Sequence, residues 1–265
     1  RAADRLVPRR AARRLAGVGP GQRGRVPYLP SPTAQRLFAA HTHGLATGAD
    51  RSEAIVHGLL ECIERDGYAR AVALASVGRG AEIPVFDPSG PDLASAAAEP
   101  LARIRGAGLR ALLRDLTADT QVPIALCVIH DGELAHMGIA AHLDPDRALR
   151  NAVLEAAQSR VTDLQGARED LPPRDQPVDP WFIEPGDAPV IAWPAPGEPS
   201  AIGAALAALA ARLAALTPPV EPAVVDLSLP GVDLAVVRVV APGLETWAHD
   251  PSRIGPRART WLAPR

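Results

Sequence analysis

The sequence predicts an α+β fold in which helices pack against a largely antiparallel sheet. Three observations carry that prediction. Asp50 to Tyr68 and Asp144 to Leu164 place apolar residues at helical spacing. Leu109 to Leu116 and Val122 to His130 are apolar or β-branched runs, parted only by a segment around Ala118-Asp119-Thr120. Near the end, Ala223 to Leu227 and Leu234 to Val240 again read as strands close together in sequence. Helices mixed with strands that follow one another favour α+β architecture.

The individual elements have local signatures. Asp50 followed by Glu53 is a capping-box-like start, with the acid at the cap and the glutamate three residues on. Asp92 to Arg105 is a weaker, alanine-rich helix. Asp144-Pro145 opens a strong helix with proline in its first turn. Leu171 to Ser200 is rich in proline and reads as a long surface excursion. Residues 201–216 form an alanine-rich packed helix interrupted by Arg212, and the residues after Val240 read as a tail. Residues 1–42 are a basic, loosely ordered segment: Arg1, Arg5, Arg9, Arg10, Arg13, Arg14, Arg23 and Arg25 face the single acid Asp4. Binding of an acidic peptide or a phosphate is the alternative use for that segment.

Composition narrows the function classes. Of 265 residues, 47% are hydrophobic and 22% charged, enough for a core and unlike a disordered chain. The net charge of −2 gives no reason to expect nucleic acid or an anionic membrane as partner. No apolar run approaches the roughly 18–20 residues of a membrane span. All 28 basic residues are arginine. Without lysine, Schiff-base chemistry and a P-loop are excluded. Cys62 and Cys127 are too few for a disulfide scaffold and sit among apolar residues, so they read as buried free thiols in a reducing cytoplasm. A catalytic Cys–His pair is the alternative for them.

The most informative stretch is the first strong helix. At 100° per residue, with Glu53 at zero, His57 lies at about 40°, Glu61 at about 80° and Glu64 at about 20°. Ile55, Leu59, Cys62 and Ile63 cluster on the opposite side. The apolar side anchors the helix and presents the polar side outward. Spacing alone fits a solvated face. It equally fits carboxylates that hold a hard cation such as magnesium. The second strong helix carries Arg147, Asn151, Glu155, Gln158 and Thr162 on one stripe, opposite Leu149, Val153, Ala156, Ala157 and Leu164. Beyond it lies Gly166-Ala167-Arg168-Glu169-Asp170, where an arginine could meet phosphate.

These segments together resemble the YcaO family. Gly44-Leu45-Ala46-Thr47-Gly48, Glu53-Ala54 and Glu61-Cys62-Ile63-Glu64-Arg65-Asp66 are similar to that family's loop and carboxylate helix. Ala148-Leu149, Glu155-Ala156-Ala157-Gln158-Ser159-Arg160 and Gly166-Ala167-Arg168-Glu169-Asp170 resemble its second helix and the segment after it. Asp115-Leu116-Thr117, Val122-Pro123, Val237 to Glu245 and Gly255-Pro256-Arg257-Ala258 also fit, in order, from about residue 43 to 258.

The resemblance implies a YcaO-like domain over residues 43–265 and an ATP- and Mg2+-dependent enzyme acting on ribosomally made precursor peptides. A nucleophile attacks a backbone amide, the amide oxygen is phosphorylated, and phosphate leaves. The product is an azoline, a thioamide or an amidine according to the nucleophile. By position, Glu61 and Glu64 would hold magnesium, while Glu53, Glu155, Gln158 and Arg168 would line the ATP site. Catalysis would consist of positioning and charge neutralisation, so no side chain is named as acid, base or nucleophile. The implied partners are the precursor peptide and a TfuA-type or leader-binding protein, in the cytoplasm, with a homodimer admitted. His43 and Ala49 stand where the family's loop usually carries asparagine. Residues 1–42 lack the family's Gly-Lys-Gly loop and its earlier Glu-x-x-Glu helix, and the chain starts at Arg1. The first half-site is therefore expected to be truncated or degenerate. The end of the chain, Trp261-Leu262-Ala263-Pro264-Arg265, does not match the proline-rich tail of azoline-forming members, which favours thioamidation. A non-catalytic member that binds peptide or scaffolds a partner is the competing reading.

Overall fold

The computed structural model describes residues 41–87, 95–166, 179–194, 201–246 and 254–263. The basic segment at 1–42 lies almost wholly outside the described residues. In chain order the elements are β1 (Leu45–Gly48), α1 (Arg51–Ser76), a 3-10 turn (Gly80–Glu82), β2 (Val85–Phe86), α2 (Ser95–Gly106), β3 (Arg110–Asp115), β4 (Ile124–His130), β5 (Ala135–Ala141), α3 (Pro145–Leu164), α4 (Pro180–Ile183), α5 (Ile202–Ala214), β6 (Ala223–Asp226), β7 (Ala235–Val240) and α6 (Pro256–Leu262). The fold is α+β, and every strand pair is antiparallel. The strands form two sheets rather than one, in two compact units. One unit is Arg1–Arg65 with Ser200–Thr246, the other Asp66–Pro199 with Trp247–Arg265.

In the first unit β7 is the central strand of the order β1-β7-β6. Arg238 of β7 stands between Leu45 of β1 and Val225 of β6. Val237 and Val239 are fully buried. Two glycines let α1 and the start of β1 approach β7. Gly44 has φ +72°, and a Cβ there would overlap the Val239 carbonyl; the Val239 N–H donates to the Gly44 carbonyl at 2.7 Å. At Gly58, in α1, a Cβ would run into the Val239 side chain.

The second unit is built on the sheet β2-β3-β4-β5. Every residue of β4 is buried, because both faces of the sheet are covered. On one face lie α2 and α3, whose Leu101, Ile104, Leu149 and Val153 join Leu113, Cys127 and Ile129 in the main core cluster. On the other face lies the C-terminal half of α1: Gly67 meets the Ile124 side chain and the Leu116 carbonyl, and the Tyr68 hydroxyl reaches the Met137 sulfur at 3.6 Å. At Gly138 of β5 the backbone of α3 comes so close that a Cβ would overlap the Ala152 carbonyl and the Ala156 amide. As its sequence indicates, α3 starts at Asp144, whose carboxylate accepts from the Asp146 N–H at 3.0 Å with Pro145 in the first turn.

Several elements depart from the sequence expectation. Helix α1 continues past Tyr68 to Ser76. Beyond Asp66 the helix is buried nearly all round and so has no polar face to give a period. β1, β2, β5, α4 and α6 have no counterpart in the sequence reading. Leu164 is exposed instead of lying on the apolar side of α3. The proline-rich excursion is not wholly superficial, since in its described part Trp193 is buried, stacks on Phe86 at 4.7 Å and donates to the Pro145 carbonyl at 3.1 Å. The same stretch is tied down by Arg114, a fully buried arginine of β3. Arg114 donates to the carbonyls of Ile83 (3.2 Å), Trp181 (2.8 Å) and Glu184 (2.7 Å) and lies 4.6 Å from the centre of the Trp181 ring. Burial lowers its pKa to about 10.

Replacing Gly138 by valine is expected to force α3 off β5. A loss of about 2–3 kcal/mol, read as a lower urea midpoint at unchanged slope, is the size such overpacking causes. An unshifted midpoint would show that α3 is not seated there.

Candidate active site

The polar face of α1 runs along β1. Asp50 caps α1 as expected, while the Glu53 carboxylate reaches past Asp50 to the residue before it. The Glu53 N–H donates to Asp50 Oδ1 at 2.9 Å, and Glu53 Oε2 accepts from the Ala49 N–H at 2.6 Å. One turn on, His57 Nδ1 lies 3.0 Å from the Thr47 carbonyl, which places the ring proton on Nδ1. A further turn on, Glu61 Oε2 accepts from the Gly44 N–H at 3.1 Å. Three side chains at i, i+4 and i+8 thus bind the backbone of residues 44–49 in reverse order, fixing the glycine-bounded loop against the helix.

Glu61 and Glu64 face a common cation. Arg65 places Nε 3.8 Å from Glu61 Oε1 and Nη2 3.5 Å from Glu64 Oε1. Behind them lies a second positive charge. Arg238 is buried in β7, its Nη2 3.1 Å from His41 Nδ1, and His41 in turn stacks on His43 at 4.3 Å. Burial lowers the Arg238 pKa, opposed by nearby Cys62 and Glu61. The sequence motifs contained Arg65 and Arg238, but nothing in their spacing assigned them a role. What locates them is the strand register at Leu45 and the helical step after Glu64.

Cys62 is not a nucleophile. Burial, then the charge of Glu61, pushes its thiol up to about 12, with Arg238 opposing. Its Sγ lies 3.7 Å from the Val239 carbonyl. Cys127, wholly buried in β4, is likewise pushed up to about 12 by burial. Both behave as the buried free thiols expected from the sequence.

Glu155 and Gln158 belong to the other unit. They lie one turn apart on α3 and both are exposed, as the polar stripe indicated. Arg168 lies outside the described residues. Among the described residues no three His, Cys, Asp or Glu side chains converge to hold a metal unaided. The donor set nonetheless fits magnesium. It is two hard carboxylates one turn apart that already attract a cation, the number the protein supplies where phosphate oxygens and water complete the shell.

Two other segments quoted from the sequence meet in the second unit. Asp66, fully buried in α1, is gripped by Arg257 of α6. Arg257 Nε donates to Asp66 Oδ1 at 2.9 Å and Nη2 to Oδ2 at 3.0 Å. Its Nη1 donates to Asp119 Oδ2 at 3.0 Å, and Nη2 also donates to Asp119 Oδ1. Burial acts to lower the Arg257 pKa, but the bonds to Asp66 and Asp119 outweigh it and the pKa is raised.

Residues 24–245 match the family model described as YcaO cyclodehydratase, ATP- and Mg2+-binding. The chain belongs to the YcaO family. ATP and magnesium are the cofactors of that family. The YcaO chain is 35% identical over 254 residues to an uncharacterized protein of Methanothermobacter thermautotrophicus, covering 88% of this chain and 63% of that one. It is 35% identical over 231 residues to an uncharacterized protein in the tfuA 3′ region of Rhizobium leguminosarum bv. trifolii, covering 78% and 53%. It therefore spans between half and two-thirds of the length of these relatives. Among solved structures, YcaO from Methanopyrus kandleri bound with AMPPCP and Mg2+ shares the fold. Its TM-score is 0.68 at 24% identity, covering 87% of this chain and 61% of that one. No helix among the described residues is long and apolar enough to cross a membrane.

Two outcomes are expected. Glu53→Ala removes half of the cap and should lower stability by about 1 kcal/mol, visible as a reduced melting temperature. Iodoacetamide at about pH 8 should leave Cys62 and Cys127 unlabelled in the folded protein and label both after denaturation. Rapid labelling of Cys62 in the native protein would contradict its assignment as an inert core thiol.

Proposed function

We propose that this YcaO chain takes part in ATP- and magnesium-dependent activation of a backbone amide in a ribosomally made peptide. The observation that carries the reading is the α1 face, where Glu61 and Glu64 stand together with balancing arginines inside a family whose model is ATP- and Mg2+-binding. Glu61 and Glu64 hold magnesium. Glu53, whose carboxylate also accepts from the Ala49 N–H, contributes to the nucleotide site together with Glu155, Gln158 and Arg168. Held by Glu61 and Glu64, magnesium would supply positive charge against the charge that builds during phosphoryl transfer. In this reading the side chains of the site bind and orient.

The chemistry follows from leaving-group ability. A nucleophile adds to the amide carbon, and the carbonyl oxygen takes the terminal phosphoryl group of ATP, giving ADP. The C–O bond then breaks and phosphate departs with the former amide oxygen. External sulfide as nucleophile gives a thioamide, and a Cys, Ser or Thr side chain gives an azoline. The relative whose name places it beside tfuA supports the thioamide and a TfuA-type partner. The precursor peptide is the other partner, in the cytoplasm.

Glu61→Gln and Glu64→Gln are each expected to cut peptide-dependent ATP turnover by about a hundredfold or more without unfolding the chain. Mass spectrometry of the peptide separates oxygen-to-sulfur exchange from loss of water. A wild-type chain that binds the peptide yet turns over no ATP, alone or with its partner, would instead be a scaffold.

A further inference from the structure

The reading above leaves two sequence motifs without a task, Asp66 after Glu64-Arg65 and the Gly255-Pro256-Arg257-Ala258 segment. The structure brings them together. We propose that Arg257 is a positioning residue for the magnesium carboxylates, acting through Asp66; this rests on the magnesium and nucleotide reading of α1.

Asp66 follows Glu64 by two residues, so on the helix it points about 200° away, to the back of the turn that presents Glu64. A buried carboxylate there needs a cation held in good geometry, and losing that cation would pull the helix toward water or protonate the acid. Arg257 grips Asp66 through two of its nitrogens and reaches Asp119 with its outer ones, and its guanidinium lies 5.4 Å from the centre of the Trp261 ring. The guanidinium is thus fixed on three sides, which opposes rotation of α1 about its axis at Asp66. The constraint matters because a carboxylate stands about 6 Å from the helix axis, so a rotation of about 20° moves it by about 2 Å. That is a whole metal–oxygen bond, and magnesium demands near-octahedral geometry. Helix α6 has a second attachment, which separates this role from simple docking. Arg79 donates to the Trp261 carbonyl at 2.8 Å and the Ala263 carbonyl at 3.4 Å, and pairs with Glu82 at 2.6 Å. It touches the far end of α6 and not Asp66.

The test is calorimetric titration of the full chain with a non-hydrolysable ATP analogue and MgCl2, well below each variant's melting temperature. Arg257→Lys keeps the charge and loses the fork, and is expected to weaken binding about tenfold, the size seen when an outer partner of a metal ligand is lost. Arg79→Gln should melt earlier and bind within about twofold of wild type. Wild-type affinity in folded Arg257→Lys, or an equal loss in Arg79→Gln, overturns the proposal. Where Arg257→Lys does not fold, Asp119→Asn removes only the exposed arm. A loss of about threefold supports the role, and no loss overturns it. A wild-type chain that binds no magnesium–nucleotide refutes the reading of α1 itself, and this proposal with it.

Discussion

Helix α1 has to satisfy two opposite environments along 26 residues. Up to Arg65 one face carries the half-buried carboxylates Glu53, Glu61 and Glu64, and from Asp66 to Leu74 most residues are buried. The division of the chain into two units falls at that change, between Arg65 and Asp66. The acidic half is held by backbone amides of residues 44 and 49, which need an acceptor in any case. The buried half relies on small residues: Ala69 and Ala73 let Ala258 of α6 approach, with Ile254, Trp261 and Leu262 closing over them. Asp66 is the fully buried charge of that interior half, and a guanidinium from the last described helix meets it.

The charge balance of the candidate site follows from the same arrangement. Glu61 and Glu64 would repel each other on a bare helix face. Arg65 sits between them, and Arg238 lies behind Glu61 in the sheet. The two carboxylates are thus balanced by cations of the chain itself. The neighbouring cysteine is kept protonated by the same burial that positions the glutamates.

Much of this was legible from residue order. The cap at Asp50, the start of α3 at Asp144-Pro145 and the two long strands around Asp119 have strong local chemistry, and they formed where expected. β5 escaped because Ala135-His136-Met137-Gly138 lacks β-branched residues. It is a strand through its pairing with β4 and through the space Gly138 leaves for α3, both non-local. The C-terminal half of α1 escaped because burial on all sides erases the helical period. Of the site, the carboxylate face could be read from periodicity. The distant groups beside those carboxylates could not, since Gly44 and Arg238 come from strand register.

The lysine-free composition acquires a physical meaning once Arg114 is seen. A lysine carried to the same depth, suffering the same loss of hydration, would give up its proton near neutrality and with it the grip on three carbonyls. A guanidinium starts so much higher that, even lowered to about 10, it stays cationic in neutral solution. The other attachments of this kind, at residues 238 and 257, are guanidinium groups as well, so the interior is held by planar, multidentate cations rather than by ammonium groups.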